Sequence, residues 1–318
     1  MPMRFIVAVL LAAVCFGTTG TAQALGPDAS AASVGAARIL IGGGALALVA
    51  VLVHFAGRRR DAIGTSVAST SGVATLHPLA AWLLVALGAA GVLAYQPAFF
   101  AGTAANGVAV GTVIALGSAP VITGGLDWVL HRRYPGHRWA VATAIATIGV
   151  AILAAATDTG AATADPLGLL ASLGAGAAYA VYTLAAKALL DLGWTATGSM
   201  GALFGTAAVA SLPVLLMTDA SWLATAPGLA MALWLGLVTT TLAYVLFGAG
   251  LAGLAPATVS TLTLAEPLTA GILGVALLGE TLSAGAVVGL GVLAAGIVVL
   301  ATAGVRRRVP RTVTAEPA

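Results

Sequence analysis

A chain of 318 residues with 60% hydrophobic and only 7% charged side chains carries more apolar surface than a soluble core can hide, so lipid must cover it. Its net charge of +3 sits on short polar flanks, which argues for contact with anionic lipid headgroups and against nucleic acid. A single cysteine, Cys15, leaves no disulfide framework and no cysteine-rich metal site.

In chain order, ten continuously apolar stretches run at about 5–25, 33–55, 79–99, 105–130, 138–157, 167–188, 198–217, 228–249, 255–278 and 284–304. Each matches the roughly 20 residues a helix needs to cross about 30 Å of hydrocarbon. None alternates with period two, which excludes a membrane β-barrel. The first stretch, preceded by Arg4 and followed by Thr21-Ala22-Gln23-Ala24, also fits a cleaved signal peptide. Removing it would leave nine spans and break the five-plus-five organisation below, so it is read as the first span. The longest connection, 56–78, leaves no room for a soluble domain. The prediction is an all-α integral membrane protein.

Alternating through ten spans places Arg4, Arg58, Arg59, Arg60, Arg132, Arg133, Arg138, Lys187, Arg306, Arg307, Arg308 and Arg311 on one side. By the positive-inside rule that side, with both termini, is cytoplasmic. The opposite connections hold Asp28, Asp158, Asp165, Asp219 and Glu280. Trp82, Trp128, Trp139 and Trp194 fall near the cytoplasmic ends, where interfacial anchoring is expected of them.

An internal repeat emerges when Glu266–Thr302 is laid over Ala119–Ala155 without gaps. Pro267 then meets Pro120, Gly271 meets Gly124, Gly296 meets Gly149 and Leu300 meets Leu153. Five spans per copy is an odd number, so the second copy is expected upside down in the membrane, as in many secondary transporters. The expected units are a first five-helix repeat at 1–157, a second at 158–305, and a cytoplasmic tail at 306–318.

The residues of the second copy also carry a resemblance. Leu264-Ala265-Glu266-Pro267, then Leu277-Leu278-Gly279-Glu280-Thr281-Leu282-Ser283 and a Gly-rich last helix, resemble the EamA-type half of the drug/metabolite transporter superfamily. Gly236 through Tyr244, Tyr95-Gln96-Pro97 and Ser118-Ala119-Pro120 support it across nearly the whole chain. The resemblance implies ten helices, cytoplasmic termini, and outward movement of small metabolites, often amino acids or related compounds. The membrane is expected to be the cytoplasmic membrane of a bacterium.

Site candidates are polar groups that the bilayer makes expensive, since ionisable side chains inside spans mark pathways or proton relays. Glu266 lies about 17 Å along the ninth span by helical rise. It precedes Pro267, which removes a backbone donor; Pro120 does the same at the matching place in the fourth span. Both are expected as helix breaks. Thr263 and Thr269 flank Glu266 by three residues on either side, completing a polar arc expected to line a central cavity. There Glu266 would contact a substrate amine or exchange a proton. The competing reading is a satisfied carboxyl beside a packing kink. Arg38 lies about 7 Å inside the second span, either to bind a substrate carboxylate or to snorkel or pair structurally.

Tyr179 and Tyr182 share a helix face, as do Thr240 and Tyr244, and Trp234 could stack on a substrate; each could equally hydrogen-bond between helices. Tyr95 and Gln96 belong to the same class. Asp127 is expected to pair with Arg132 or Arg133, and Lys187 to snorkel.

No nucleophile with its base, carboxylate pair or metal-ligand spacing such as His-Glu-x-x-His occurs, and no phosphate loop of a primary pump. The reading is therefore not an enzyme but a secondary transporter without cofactor or metal, whose partners are a small-molecule substrate and membrane lipids. One central carboxylate permits proton coupling. The alternatives are a channel or a membrane sensor or scaffold that transports nothing.

Overall fold

The computed structural model describes residues 3–63, 78–132, 134–156 and 165–303, with side chains at all of these except 57–63, 78, 108–109 and 303. Among them ten helices are long and apolar enough to cross a membrane. They are α1 (Met3–Ala24), α2 (Ala31–Ala56), α3 (Leu79–Gly107), α4 (Val110–His131), α5 (His137–Ala155), α6 (Pro166–Asp191), α7 (Ala196–Leu216), α8 (Ala226–Gly253), α9 (Pro256–Leu278) and α10 (Ala284–Thr302). No strand occurs among the described residues. The expected positions of the Arg58, Arg59, Arg60, Arg133, Arg306, Arg307, Arg308, Arg311 and Asp158 side chains lie outside the described ones.

Helices without a buried polar stripe cannot sort themselves by hydrophobicity in lipid, so close packing decides who neighbours whom. α1 lies against α8 and α9, as α6 lies against α3 and α4; α2 pairs with α7 and α5 with α10. Replacing each helix by the one five places along leaves this set unchanged, which is consistent with two five-helix repeats. α1 is an integral member of the bundle, with Ile6, Val9, Ala12 and Ala13 fully buried. Outward-facing Leu83, Leu167 and Val209 are instead mostly exposed, the surface that lipid tails cover.

Glycines make the tight seam between α5 and α10. A Cβ at Gly296 would lie 2.6 Å from the Ala146 nitrogen and 2.9 Å from the Ala142 carbonyl oxygen, backbone atoms that cannot swing aside. Gly149, its partner in the sequence repeat, abuts the backbone of Leu293 in the same seam. Gly291 on the same helix α10 faces open space. Gly296→Ala is therefore expected to destabilise by about 1–3 kcal/mol through overpacking. Gly291→Ala should be neutral or slightly stabilising, because alanine has the better helix propensity. Thermal unfolding midpoints of the two variants in detergent are the check: lower than wild type for Gly296→Ala and not lower for Gly291→Ala.

Contacts between helix ends sort the connections onto two faces. At one face the Ser33 hydroxyl donates to the Asp219 carbonyl (2.8 Å) and accepts from the Trp222 indole (2.9 Å). Ser283 reaches the Ala156 carbonyl there (3.4 Å). The Ser221 backbone N–H and hydroxyl hold the Asp219 carboxyl below the usual carboxylate range. At this face α3 also passes to α4 through Gly107, whose φ of 81° and ψ of 155° favour a residue without a side chain.

Beside that turn, buried Asn106 donates to the Asp165 carbonyl (3.1 Å) and accepts the Asp165 N–H (2.6 Å), while the Asp165 carboxylate caps α6 at the Gly168 N–H (3.0 Å). Asn106→Ala would strand both backbone groups of Asp165. The expected cost is about 1–3 kcal/mol, seen as a lower unfolding midpoint that Asp165→Asn, which keeps the backbone pair, does not reproduce.

At the other face Trp82 and Trp194 meet edge to face, with ring centroids 6.4 Å apart, and Phe5 lies beside Gly253. Trp82 and Trp128 are more than half exposed, as interfacial anchors should be. Trp139 differs from expectation: its indole donates to the Ala257 carbonyl (2.8 Å) and the Thr261 hydroxyl (3.1 Å), and its ring packs on Gly124. It is a wedge joining α4, α5 and α9, because Gly124 leaves room for the ring and the indole joins the Ser260 and Thr261 hydroxyls on the Ala257 carbonyl. Asp127 pairs with His131 at 2.8 Å, one helical turn on, rather than with Arg132. Lys187 pairs with Asp191 at 3.0 Å, also one turn on, rather than merely snorkelling.

Candidate functional site

The site begins with a broken helix. α9 consists of one segment over Pro256–Thr263 and another over Glu266–Leu278, separated by a turn at 264–265. Pro267 has no N–H to offer the Thr263 carbonyl. Around it the backbone tightens: Leu264 N–H bonds the Thr261 carbonyl (3.2 Å) and Ala265 N–H the Leu262 carbonyl (3.0 Å), three residues back instead of four. Glu266 thus opens the second segment at mid-depth, where helical backbone groups are free and a carboxylate is favoured near the N-terminal end.

Pro120 behaves otherwise. The helix runs through it without a break, and the Thr123 hydroxyl donates to the Ala119 carbonyl at 2.7 Å. The paired break expected from the repeat is therefore found in α9 alone. A second irregularity that sequence did not reveal lies in α8, where Trp234–Leu242 forms a π-helix. Its wider turns reorganise the carbonyl ladder. The hydroxyls of Thr239 and Thr240 both donate to the Leu235 carbonyl, at 2.8 Å and 2.9 Å.

Arg38 of α2 docks on this π segment. Its Nε donates to the Thr240 hydroxyl (3.1 Å) and its Nη2 to the Thr239 carbonyl (3.2 Å). One turn on, Gly42 sits tight against Gly236 and Thr240, which brings α2 close enough for these bonds. The guanidinium is held by neutral groups: among the described residues no carboxylate lies within 4.0 Å of it. The Glu266 carboxylate likewise makes no ion pair within 4.0 Å and no hydrogen bond among them, and feels the Arg38 charge only at longer range.

Both charges face one cavity of about 400 Å³. Its walls come from the second half of α1, the first turns of α2, the ends of α3 and α4 nearest the 25–30 connection, and mid-depth residues of α6, α8 and α9. The space runs from mid-depth toward the face that carries that connection. Its floor is aromatic. Tyr179 donates to the Thr263 hydroxyl (3.3 Å), the Tyr182 and Tyr244 hydroxyls are 3.2 Å apart, and Phe204 lies 3.9 Å below Tyr244 by ring centroid. Phe247 completes the cluster.

Of the residues singled out from sequence, Glu266, Arg38, Thr263, Tyr179, Tyr182 and Tyr244 line this cavity, as do Tyr95 and Gln96. Thr269 does not: beyond the break it packs against Gly17 of α1, because the tightened turn rotates the second segment away from the arc an unbroken helix would present. Trp234 does not either. It is about half exposed on the outer surface and donates to the Thr18 hydroxyl at 3.0 Å, since the π segment begins there and turns it toward lipid. Missed from sequence were Phe16, Gln23, Phe99, Phe100 and Ser260, which carry no signal beyond being uncharged residues in apolar stretches. Among the described residues no three His, Cys, Asp or Glu side chains gather as a metal site would require.

Ten lipid-facing helices around a charged chamber at mid-depth are the build of a multi-pass membrane transporter. Comparison with known proteins agrees. Residues 166–302 match the EamA-like transporter family, and the uncharacterized transporter YwfM of Bacillus subtilis (strain 168) is 40% identical over 297 residues, 93% of each chain. The chain belongs to the EamA-like transporter family, within the drug/metabolite transporter superfamily that its α9 and α10 motifs resemble. A solved crystal structure shares the fold at a TM-score of 0.71 and 20% identity, covering 96% of this chain and 99% of that one.

Proposed function

We propose that this transporter is a secondary carrier of small zwitterionic metabolites such as amino acids, exporting them across the cytoplasmic membrane of a bacterium by alternating access. The observation that carries the reading is the charge pair of the chamber. Arg38 and Glu266 face one cavity of about 400 Å³, and neither makes an ion pair within 4.0 Å among the described residues. An ammonium and a carboxylate on one small molecule complement them, and satisfied charges are what make such groups tolerable at this depth.

The chamber opens toward one face and ends on an aromatic floor toward the other, which supports a carrier over an open pore. Two inverted five-helix halves would rock about this site to expose it to each side in turn. The positive-inside rule places the termini in the cytoplasm and the open end of the chamber outside. Glu266 gives proton coupling a place to act.

Flux of a panel of radiolabelled standard amino acids in proteoliposomes, with and without a proton gradient, tests the proposal. Saturable flux of at least one zwitterion is expected. Currents that fail to saturate at millimolar substrate would replace it with a channel, and inert behaviour toward every zwitterion would refute it.

A further inference from the structure

We infer that Asp28 and Arg38 form a second, shallower docking position for the same zwitterion, at the mouth of the chamber, so that Arg38 serves two sites in turn. The inference rests on the reading that the deep chamber binds a zwitterion.

A second cavity of about 210 Å³ adjoins the first, lined among others by Asp28, Gln23, Gln96 and Arg38. Gln23, Arg38, Gln96 and Phe100 line both cavities, so the two are neighbours across these side chains. Three charged side chains face them: Glu266 in the deep part, Asp28 in the shallow part, and Arg38 in both. Each part thus offers one carboxylate and shares a single guanidinium.

The donors of Arg38 allow that sharing. Nε and one proton of Nη2 are engaged with Thr240 and Thr239. The two protons of Nη1 and the second of Nη2 remain for a ligand carboxylate. A zwitterion could keep its carboxylate on Arg38 while its ammonium exchanges Asp28 for Glu266. Neither charge then crosses the mouth of the chamber unpaired, the condition that makes a desolvated charge costly.

Gln96 stands at the junction. Its carboxamide makes no hydrogen bond to a described residue, and it lies against the bare backbone of Gly35, where a side chain would take the space of its Oε1. It therefore has a donor and an acceptor free for a ligand passing between the two positions.

The two positions differ in solvent access, and this separates them by experiment. Asp28 is exposed, so its attraction should be screened by salt, whereas Glu266 lies inside the bundle and should be screened far less. The test uses the full chain in proteoliposomes of uniform orientation, with the best-transported amino acid of the standard panel added to either face.

Asp28→Asn is expected to raise half-saturation about fivefold from the face bearing the 25–30 connection, and to leave it unchanged from the opposite face. Molar salt should erase the difference from wild type, Asp28→Glu should restore it, and Glu266→Gln should impair flux at every salt concentration. Half-saturation for Asp28→Asn equal to wild type, alongside a damaged Glu266→Gln, would overturn the shallow site and leave the deep one standing. An equal loss in Asp28→Glu would also overturn it, since charge would not be the cause. A wild-type protein that moves no zwitterion would overturn both readings.

Discussion

Replacing Glu266 by glutamine is expected to weaken apparent substrate affinity by about tenfold to a hundredfold while leaving the fold intact, the range expected when a hydrogen bond to a charged group is lost. Glutamine has nearly the same shape and keeps one acceptor oxygen, but it removes the charge and puts an NH2 donor where the second oxygen was. The carboxylate lies at the α9 break facing the cavity, with no hydrogen bond and no ion pair within 4.0 Å among the described residues, so no close contact depends on its charge. A carboxyl that merely satisfied neighbouring donors would give the opposite pattern: unchanged flux and a shifted unfolding midpoint. The same variant tests coupling. If Glu266 carries the proton, a glutamine there should still exchange labelled for unlabelled substrate but should no longer respond to an imposed proton gradient.

Arg38→Lys is expected to cost about tenfold or more in affinity for zwitterions, in the range of one charge-assisted hydrogen bond. Lysine keeps the charge but has no planar fork, so it cannot hold the Thr240 hydroxyl and the Thr239 carbonyl while presenting further donors to a carboxylate. Those two contacts, at 3.1 Å and 3.2 Å, also join α2 to the π segment of α8, so some loss of stability is expected as well. A decarboxylated amine analogue separates the two effects. If Arg38 reads the carboxylate, competition by the amine should be equally weak in wild type and variant. If Arg38 only braces the helices, competition by both compounds should fall together.

Much of the fold was legible because the bilayer imposes a coarse rule: a spanning helix needs a long apolar run, and all ten runs became helices. Glu266 was legible for the complementary reason, since a carboxylate in such a run is too costly to be incidental. Pro267 beside it marked a break that occurs, whereas Pro120 marked one that does not. Proline removes the same donor at both places, and its neighbourhood decides whether the helix yields. At 264–265 the chain tightens into a turn; at Pro120 it stays helical.

Thr269, Trp234 and Trp139 show where helical periodicity stops being informative. Each was placed by assuming a regular helix or a generic interface, and each is redirected by a local feature: a tightened turn, a π-helix, and a glycine that admits an indole ring. Phe99, Phe100 and Gln23 entered the cavity wall with nothing in the sequence to distinguish them from residues facing lipid.

The sequence by itself determined the solvent of this protein, the number and order of its spans, and the presence of two charges within those spans, because these follow from composition and from the free energy of placing each residue type in hydrocarbon. Only the tertiary structure decided that Arg38 and Glu266 face one chamber, that the chamber opens toward the 25–30 connection, and that tyrosines close its other end. Lipid and helix interior are almost equally apolar, so which side of a helix turns inward is set by close packing at small residues and by a few interhelical hydrogen bonds. Those choices become visible only when all ten helices are in place.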